Sequence, residues 1–410
     1  MQPMEFTKAG EPVPEVKLQV KVSVHSKLGI KAIINGVGPA TRLGGLALSE
    51  NVWKAMQESN ERSYRMEELH ESAGKLIAEM IGAPASLVTS GASASLTLST
   101  AACIAGFDRQ MHLDLPFPKT NRIEVLVQRL HQDPYDHAVT AAGAKIKPFG
   151  DLKETTTAHL IEGINENVCA LLWRESSDKA ALDLATCSKI AHEHGIPVIV
   201  DGALFVPPLS RLKSYLEQGA DFIAISGGKG FRGPHTSGLL VASPANVKIA
   251  MLHHLDLDER SATWSYQIAE GKFADLPSNG IGRAMKVGRE QIFGLVAAIQ
   301  EYVITHGHEI GDLEITECKR ILEQANLVQT EEVFYSPLDV TNLHIHVPNG
   351  VSADEFYLEL AAGSPRIILG QEMSDKGVLT LNPMSLVQGQ GFLIGTRINE
   401  IAAQRNGIKK

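Results

Sequence analysis

The sequence predicts an α/β fold, a mainly parallel sheet covered by helices, with a smaller α+β unit after it. Three observations carry that expectation. Short, wholly apolar runs recur from about residue 86, the stretches between them have helical spacing, and the texture changes after about residue 289. An alternating strand has one face in water, whereas an uninterrupted apolar run is buried on both faces. Such double burial is what the crossover helices of a parallel sheet provide.

The runs are 86–89, 123–127, 168–173, 197–200, 222–225 and 238–241. Between them lie segments such as 185–194, with apolar residues at helical intervals and a close on Gly195 and Pro197, both helix-stop signals. Beyond residue 289 a long helical stretch, 291 to about 324, leads into shorter strands that include 341–347 and 378–381. The expected organisation is an N-terminal arm and segment packing with the small domain (1–45), a large domain (46–289) and a small C-terminal domain (290–410). The first thirty residues read as a poorly ordered arm.

Bulk properties narrow the function. A chain of 410 residues, 44% hydrophobic and 21% charged, suits one large globular domain plus a smaller one. Its net charge of -9 makes nucleic acid a poor partner. Cys103, Cys169, Cys187 and Cys318 are widely spaced with no CxxC pair. That argues against a zinc or disulfide framework and for reduced thiols in the cytoplasm. The N-terminal twenty residues carry charges and prolines where a signal peptide needs an apolar stretch, and no membrane-spanning run follows.

In parallel sheets, ligands bind at the carboxyl ends of the strands. The run 197–200 ends in Asp201-Gly202-Ala203. A carboxylate at the end of a buried strand is costly unless paired. Alone it would be an N-cap or salt-bridge partner. The next run, 222–225, ends in Ser226-Gly227-Gly228-Lys229-Gly230. Glycines around a lysine let the backbone approach a flat ring, and a lysine in an apolar cleft loses basicity and can form a Schiff base. Alone, such a lysine would be a solvated loop charge. Together they fit pyridoxal 5′-phosphate (PLP), whose pyridine nitrogen needs a buried acid to stay protonated. Their separation of 28 residues leaves room for one helix and one strand, so Asp201 and Lys229 fall on the same rim. Upstream, Leu87-Val88-Thr89 leads into Ser90-Gly91-Ala92-Ser93-Ala94-Ser95 and a helical run. A strand-to-helix turn of small residues presents backbone N–H groups to an anion, a phosphate cup, although an ordinary capped helix start looks the same.

Rival motifs fail. Gly228, Gly230 and Gly233 spell G-x-G-x-x-G, but Pro234 and an apolar run follow where a dinucleotide fingerprint must open a helix. Lys229 is followed by Gly230, not the Ser or Thr of a Walker loop. The stretch Gly91 to Ser95 lacks the last glycine of a nucleophile elbow. His253-His254-Leu255-Asp256-Leu257-Asp258-Glu259-Arg260 reads as a charged surface turn near the active-site mouth, followed by Thr263-Trp264, and not as a metal site.

Other segments complete a pattern. They are Ile34-Asn35-Gly36-Val37-Gly38, Thr41-Arg42-Leu43-Gly44-Gly45, the helical stretch 69–82, His131-Gln132-Asp133-Pro134-Tyr135-Asp136-His137 and Arg283-Ala284-Met285-Lys286-Val287-Gly288-Arg289-Glu290. With the Asp201 and Lys229 segments they resemble the fold-type I PLP-dependent enzymes. More narrowly, they resemble the selenocysteine synthase (L-seryl-tRNA selenium transferase)-like and D-glucosaminate-6-phosphate ammonia-lyase-like family, from about residue 30 to 292. The resemblance implies Lys229 as Schiff-base lysine and Asp201 as pyridinium partner. It implies phosphate contacts from Gly91, Ala92 and Ser226, with Ser90, Ser93 and Ala203 also beside the cofactor. His131 would stack on the ring, with His137 second to it. Arg366, or else Arg283, would grip a substrate carboxylate. The family match leaves no room for an additional N-terminal tRNA domain, so tRNA selenation is not expected. The expected activity is a PLP-dependent lyase that removes ammonia from a small, D- or β-hydroxylated amino acid or amino-sugar acid by α,β-elimination, working as a homodimer or larger homo-oligomer. Racemase, aldolase and aminotransferase chemistry is the alternative, with a non-catalytic PLP-binding protein further behind.

Overall fold

The computed structural model describes residues 24–175, 180–254, 279–305 and 309–405. Its first strand, β1 (Ile33–Gly36), belongs with the C-terminal part. The next seven form one sheet: β2 (Ala85–Thr89), β3 (Glu124–Gln128), β4 (Lys145–Phe149), β5 (Val168–Arg174), β6 (Val198–Asp201), β7 (Phe222–Ser226) and β8 (Gly238–Ala242). Their spatial order is β2-β8-β7-β6-β5-β3-β4.

All six expected runs are strands of this sheet. β8 runs antiparallel to both β2 and β7, while β7, β6, β5, β3 and β4 pair in parallel. The reversal follows from chain length. Only a loop separates Ser226 from Gly238, and a parallel return needs a crossover of a dozen or more residues. β4 was not expected. Its sequence Lys-Ile-Lys-Pro-Phe carries two lysines and a proline, as an edge strand can.

Apolar layers cover both faces. Val198, Val200, Ile223 and Ile225 pack into one core, and Ile199, Phe222 and Ala224 into the other. The helix Leu184–Glu193 starts where Asp183 accepts from Thr186 N–H at 2.8 Å, the side-chain cap that an exposed helix start favours.

The long helical stretch expected after residue 289 is two helices, Arg289–Thr305 and Glu309–Ala325. Beyond them come β9 (Gln329–Tyr335), β10 (Val340–His346), β11 (Arg366–Leu369) and β12 (Val378–Leu381). β12, β10 and β9 form an antiparallel sheet in that order. β11 instead pairs in parallel with β1, Ile33 beside Arg366 through Gly36 beside Leu369. The expected disordered arm lies largely outside the described residues.

Candidate active site

β5, β6 and β7 end side by side, and the charged residues sit where their apolar runs stop. Arg174 of β5 lies directly beside Asp201 of β6. Asp201 Oδ2 accepts from Arg174 Nε at 3.1 Å, and its Oδ1 accepts from Ala203 N–H at 3.2 Å. The carboxylate is therefore held in place by partners on both oxygens, which the cost of burying a charge requires.

Lys229 follows β7 in a loop that only glycines allow. A Cβ on Gly230 would stand 2.5 Å from Pro207 Cδ, and one on Gly228 2.8 Å from the His235 Cα. Burial holds the Lys229 ammonium below the usual lysine range, against the pull of Asp201 and Asp133. A lysine shifted in this direction gives up its proton more readily than a solvated one, and its neutral amine is the nucleophile that imine chemistry needs.

The small-residue turn closes the same rim. Gly238 of β8 pairs with Ser226 on one side and Thr89 on the other, so the Ser90–Ser95 turn and Ser226 meet across three adjacent strands. Gly91 has φ +146°, a glycine conformation, and opens the 14-residue helix Ala92–Ala105. Thr89 Oγ1 braces the turn by donating to the Gly91 carbonyl at 3.0 Å. A Cβ on Gly238 would lie 2.4 Å from Gly91 C, so the two backbones touch. Ser90 is half-buried, Ala92 buried and Ser93 exposed at this helix start. An N-terminus of this kind suits a phosphate. An acid, a lysine of lowered basicity and an anion cup on one rim fit PLP's ring nitrogen, aldehyde and phosphate.

His131 is buried after β3. Its Nδ1 receives the Arg174 backbone N–H at 3.3 Å, and its ring meets Trp173 edge-on. Beside Lys229 opens a cavity of about 410 Å³. Its walls come from the β1 end (Val37, Ala40), from Leu204, and from the C-terminal sheet, with Tyr335, Asn342, His344 and Thr380 among them. Asn382 Nδ2 donates to Asn342 Oδ1 at 2.9 Å and fixes that amide. Glu372 stands exposed at the rim of this cavity.

The three other nominated residues lie elsewhere. His137 is exposed at the start of the helix His137–Thr140. Arg283 is half-buried in the short helix Ile281–Met285, packed against the helix Pro244–His254. Arg366 begins β11, at the end away from the cavity, and its Nε donates to the Ala361 carbonyl at 2.9 Å. None of the three lines the cavity beside Lys229.

The His253-His254 pair corrects an expectation. It was read as the start of a charged surface turn, yet both rings are buried, at 0% and 4% exposure. The cause is that the last six residues of the helix Pro244–His254 are all in the core. Residues 255–260, Thr263 and Trp264 lie outside the described residues. No group of metal-ligating side chains occurs among the described residues, and none of their helices is long and apolar enough to cross a membrane.

Sequence reading missed Arg174 and the C-terminal wall. Arg174 was legible by the rule that singled out Asp201, a charge closing an apolar run. Asn342, His344 and Glu372 gave no such signal, because a β-sheet face and a loop bring them together from distant positions.

A family model described as aminotransferase class-V matches residues 48–262. The chain is similar to the D-glucosaminate-6-phosphate ammonia lyase of Salmonella typhimurium (strain 14028s / SGSC 2262), 26% identical over 397 residues, covering 93% of this chain and 98% of that one. It is also similar to a 5′-C-glycyluridine monooxygenase-decarboxylase of Streptomyces sp, 25% identical over 399 residues and covering 93% of each. A solved D-glucosaminate-6-phosphate ammonia-lyase structure superposes with a TM-score of 0.79 at 25% identity, over 93% of this chain and 99% of that chain. The cysteine desulfurase of Thermococcus onnurineus NA1 shares the fold at a TM-score of 0.51 and 15% identity, over 91% of this chain and 95% of that one.

Proposed function

Starting from the fact that the chain belongs to the aminotransferase class-V family and is a PLP-dependent enzyme, we propose that it is a lyase eliminating ammonia from a small hydroxylated amino acid or amino-sugar acid. The observation that carries this reading is the placement of Lys229 on a cavity whose far wall offers amide, imidazole and hydroxyl groups. Its similarity over almost the whole length to a D-glucosaminate-6-phosphate ammonia lyase supports it.

When bound, PLP supplies a protonated ring that takes up the electron pair left at the substrate Cα. The chain's own residues do the rest. Asp201, fixed by Arg174 and the Ala203 N–H, holds the proton at the ring nitrogen. Ser226, Ser90, Ser93 and the Gly91–Ala92 backbone would hold the phosphate, and His131 would lie beside the ring. Lys229 holds the cofactor at rest and then takes the proton from Cα. Asn342, His344 and Thr380 orient the hydroxylated end of the substrate. The Cβ hydroxyl leaves as water with the proton that Lys229 took from Cα, and one water then hydrolyses the released enamine to a 2-oxo acid and ammonia. Arg366, or else Arg283, would grip a substrate carboxylate, and His137 would be a substrate-side residue second to His131 at the ring.

We further propose division into parts 1–45, 46–289 and 290–410, a homodimeric or larger assembly, and residence in the cytoplasm. The four unpaired cysteines, three of them buried, suit that compartment.

Product analysis tests the reaction. Holoenzyme given D-glucosaminate, its 6-phosphate and a panel of D- and L-β-hydroxy amino acids should release equimolar ammonia and 2-oxo acid without oxygen or an amino acceptor. Turnover that consumes oxygen, needs an acceptor, yields an aldehyde or only changes optical rotation overturns the lyase reading. The monooxygenase-decarboxylase relative makes the anaerobic arm decisive.

A further inference from the structure

Four hydrogen bonds converge on Arg174. Its Nε donates to Asp201 Oδ2 at 3.1 Å. Its Nη1 donates to Asp136 Oδ1 at 2.7 Å and to the His131 main-chain carbonyl at 2.7 Å. Its backbone N–H donates to His131 Nδ1 at 3.3 Å. The side chain is only 11% exposed. Its Nη2 is buried and has no hydrogen-bond partner among the described residues.

We propose that Arg174 is the positioning residue of this site: one guanidinium fixes both the Asp201 carboxylate and the His131 segment, and sets the charge Asp201 presents to the cofactor ring. The proposal rests on PLP dependence and is independent of which reaction follows.

The geometry explains why arginine stands here. Asp201 ends β6 and Asp136 lies in the loop after β3, so two carboxylates flank one buried position. A planar guanidinium can bond both at once and still reach a main-chain carbonyl, whereas an ammonium is a point charge on a flexible stem. The other charged or titratable groups facing Asp201 are few. Lys229 approaches from the loop after β7, with Asp133 near it. Tyr215 approaches from the helix Leu209–Glu217, backed by Glu175 and Arg211. Lys229 is the cofactor's anchor and Arg211 pairs with Glu175, so among the described residues Arg174 is the cation left to balance Asp201 and Asp136. The Nη2 donor remains for an acceptor on the bound group or the substrate.

The test uses Arg174→Gln and Arg174→Lys, reading two quantities that do not depend on turnover. One is the affinity of apoprotein for PLP, and the other is the pH midpoint of the bound cofactor's absorbance. Arg174→Gln removes a cation beside the ring, so protonated forms gain and the midpoint rises by about one pH unit or more. Affinity falls by about tenfold or more, as expected for lost charge-assisted bonds. Arg174→Lys keeps the charge and loses the fork. Its midpoint stays near wild type while its affinity still falls.

A Gln variant with wild-type affinity and a midpoint within about 0.2 unit of wild type overturns the proposal, because a neighbouring charge moves a pKa by more than that. A Lys variant displaced as far as the Gln variant overturns the electrostatic half. If the Gln protein does not fold, the Lys protein decides, and wild-type affinity there refutes the positioning role.

Discussion

Lys229 and Asp201 do separable things, and single substitutions tell them apart. Lys229 is the amine within the cavity, so borohydride reduction of the holoenzyme followed by peptide mapping should place the label on Lys229, and Lys229→Ala should take none. A label on another lysine removes Lys229 from its role. Asp201→Ala leaves that covalent anchor intact but frees the ring nitrogen to lose its proton. The variant should keep bound cofactor while Cα–H exchange in deuterated water drops by about a hundredfold or more, the scale of a lost acid–base partner. Exchange near the wild-type rate would remove Asp201 from the mechanism.

At the scale of elements, the close contact between β8 and the phosphate cup makes glycine necessary. Gly238→Ala would press a methyl group into the Gly91 backbone. Since the conflict is with main chain, the cup must move, at a cost of about 1–3 kcal/mol. Titration of the apoprotein should show weakened PLP binding, and an unchanged affinity would mean that the cup does not hold the phosphate.

A second element-level prediction concerns the buried histidines. His254 meets His70 edge-on at 5.0 Å, and His253 stacks on His112 at 4.4 Å. Burial, with help from the neighbouring ring, pushes His70 and His253 down to about 3, and burial pushes His254 down to about 4. As pH falls below 6.5 the unfolded chain binds protons that the folded chain refuses. Stability is thus full above that pH and declines from there toward pH 4, by on the order of 1 kcal/mol per pH unit for each histidine. Denaturant melts at pH 7.5 and 5 should show the drop, and His70→Leu should reduce it by about a third, since His253 and His254 remain. Equal stability at both pH values would contradict the burial argument.

These elements also show what a sequence discloses. Apolar runs and the charges that end them are local, so β2, β3 and β5 to β8 were legible, and with them the placement of Asp201, Lys229 and the Ser90–Ser95 turn on one rim. The direction of β8 was legible only through loop length. The lysine-bearing β4 concealed itself because an edge strand need not be apolar. The packing of the segment before residue 45 with the small domain was expected, but its partner strand β11 and their parallel register were not legible, since the pairing joins residues from opposite ends of the chain.

At the scale of the whole molecule, the cavity is a joint product of distant segments. The β7–β8 loop gives Lys229, the β1 end gives Val37 and Ala40, and the C-terminal sheet gives Asn342 and His344. Substitutions in that sheet should therefore act on substrate and spare the cofactor. Asn342→Ala should raise KM by about tenfold, the scale of one or two lost hydrogen bonds, with PLP affinity unchanged. A parallel loss of PLP affinity would place Asn342 in the cofactor site instead. Light scattering at assay concentration should give a dimer or larger species, and an active monomer would refute the assembly proposed above.

The parallel pair of β1 and β11 has a consequence for how the protein is made. On the ribosome, β1 emerges long before β11 exists, and waits unpaired while the seven-stranded sheet is synthesised behind it. The nascent chain thus completes the proposed phosphate cup, Asp201 and Lys229 before it owns the cavity beside Lys229. Capture of the vitamin cofactor can precede release from the ribosome, whereas turnover has to await β10 and β12, which bring Asn342, His344 and Thr380 to the cavity.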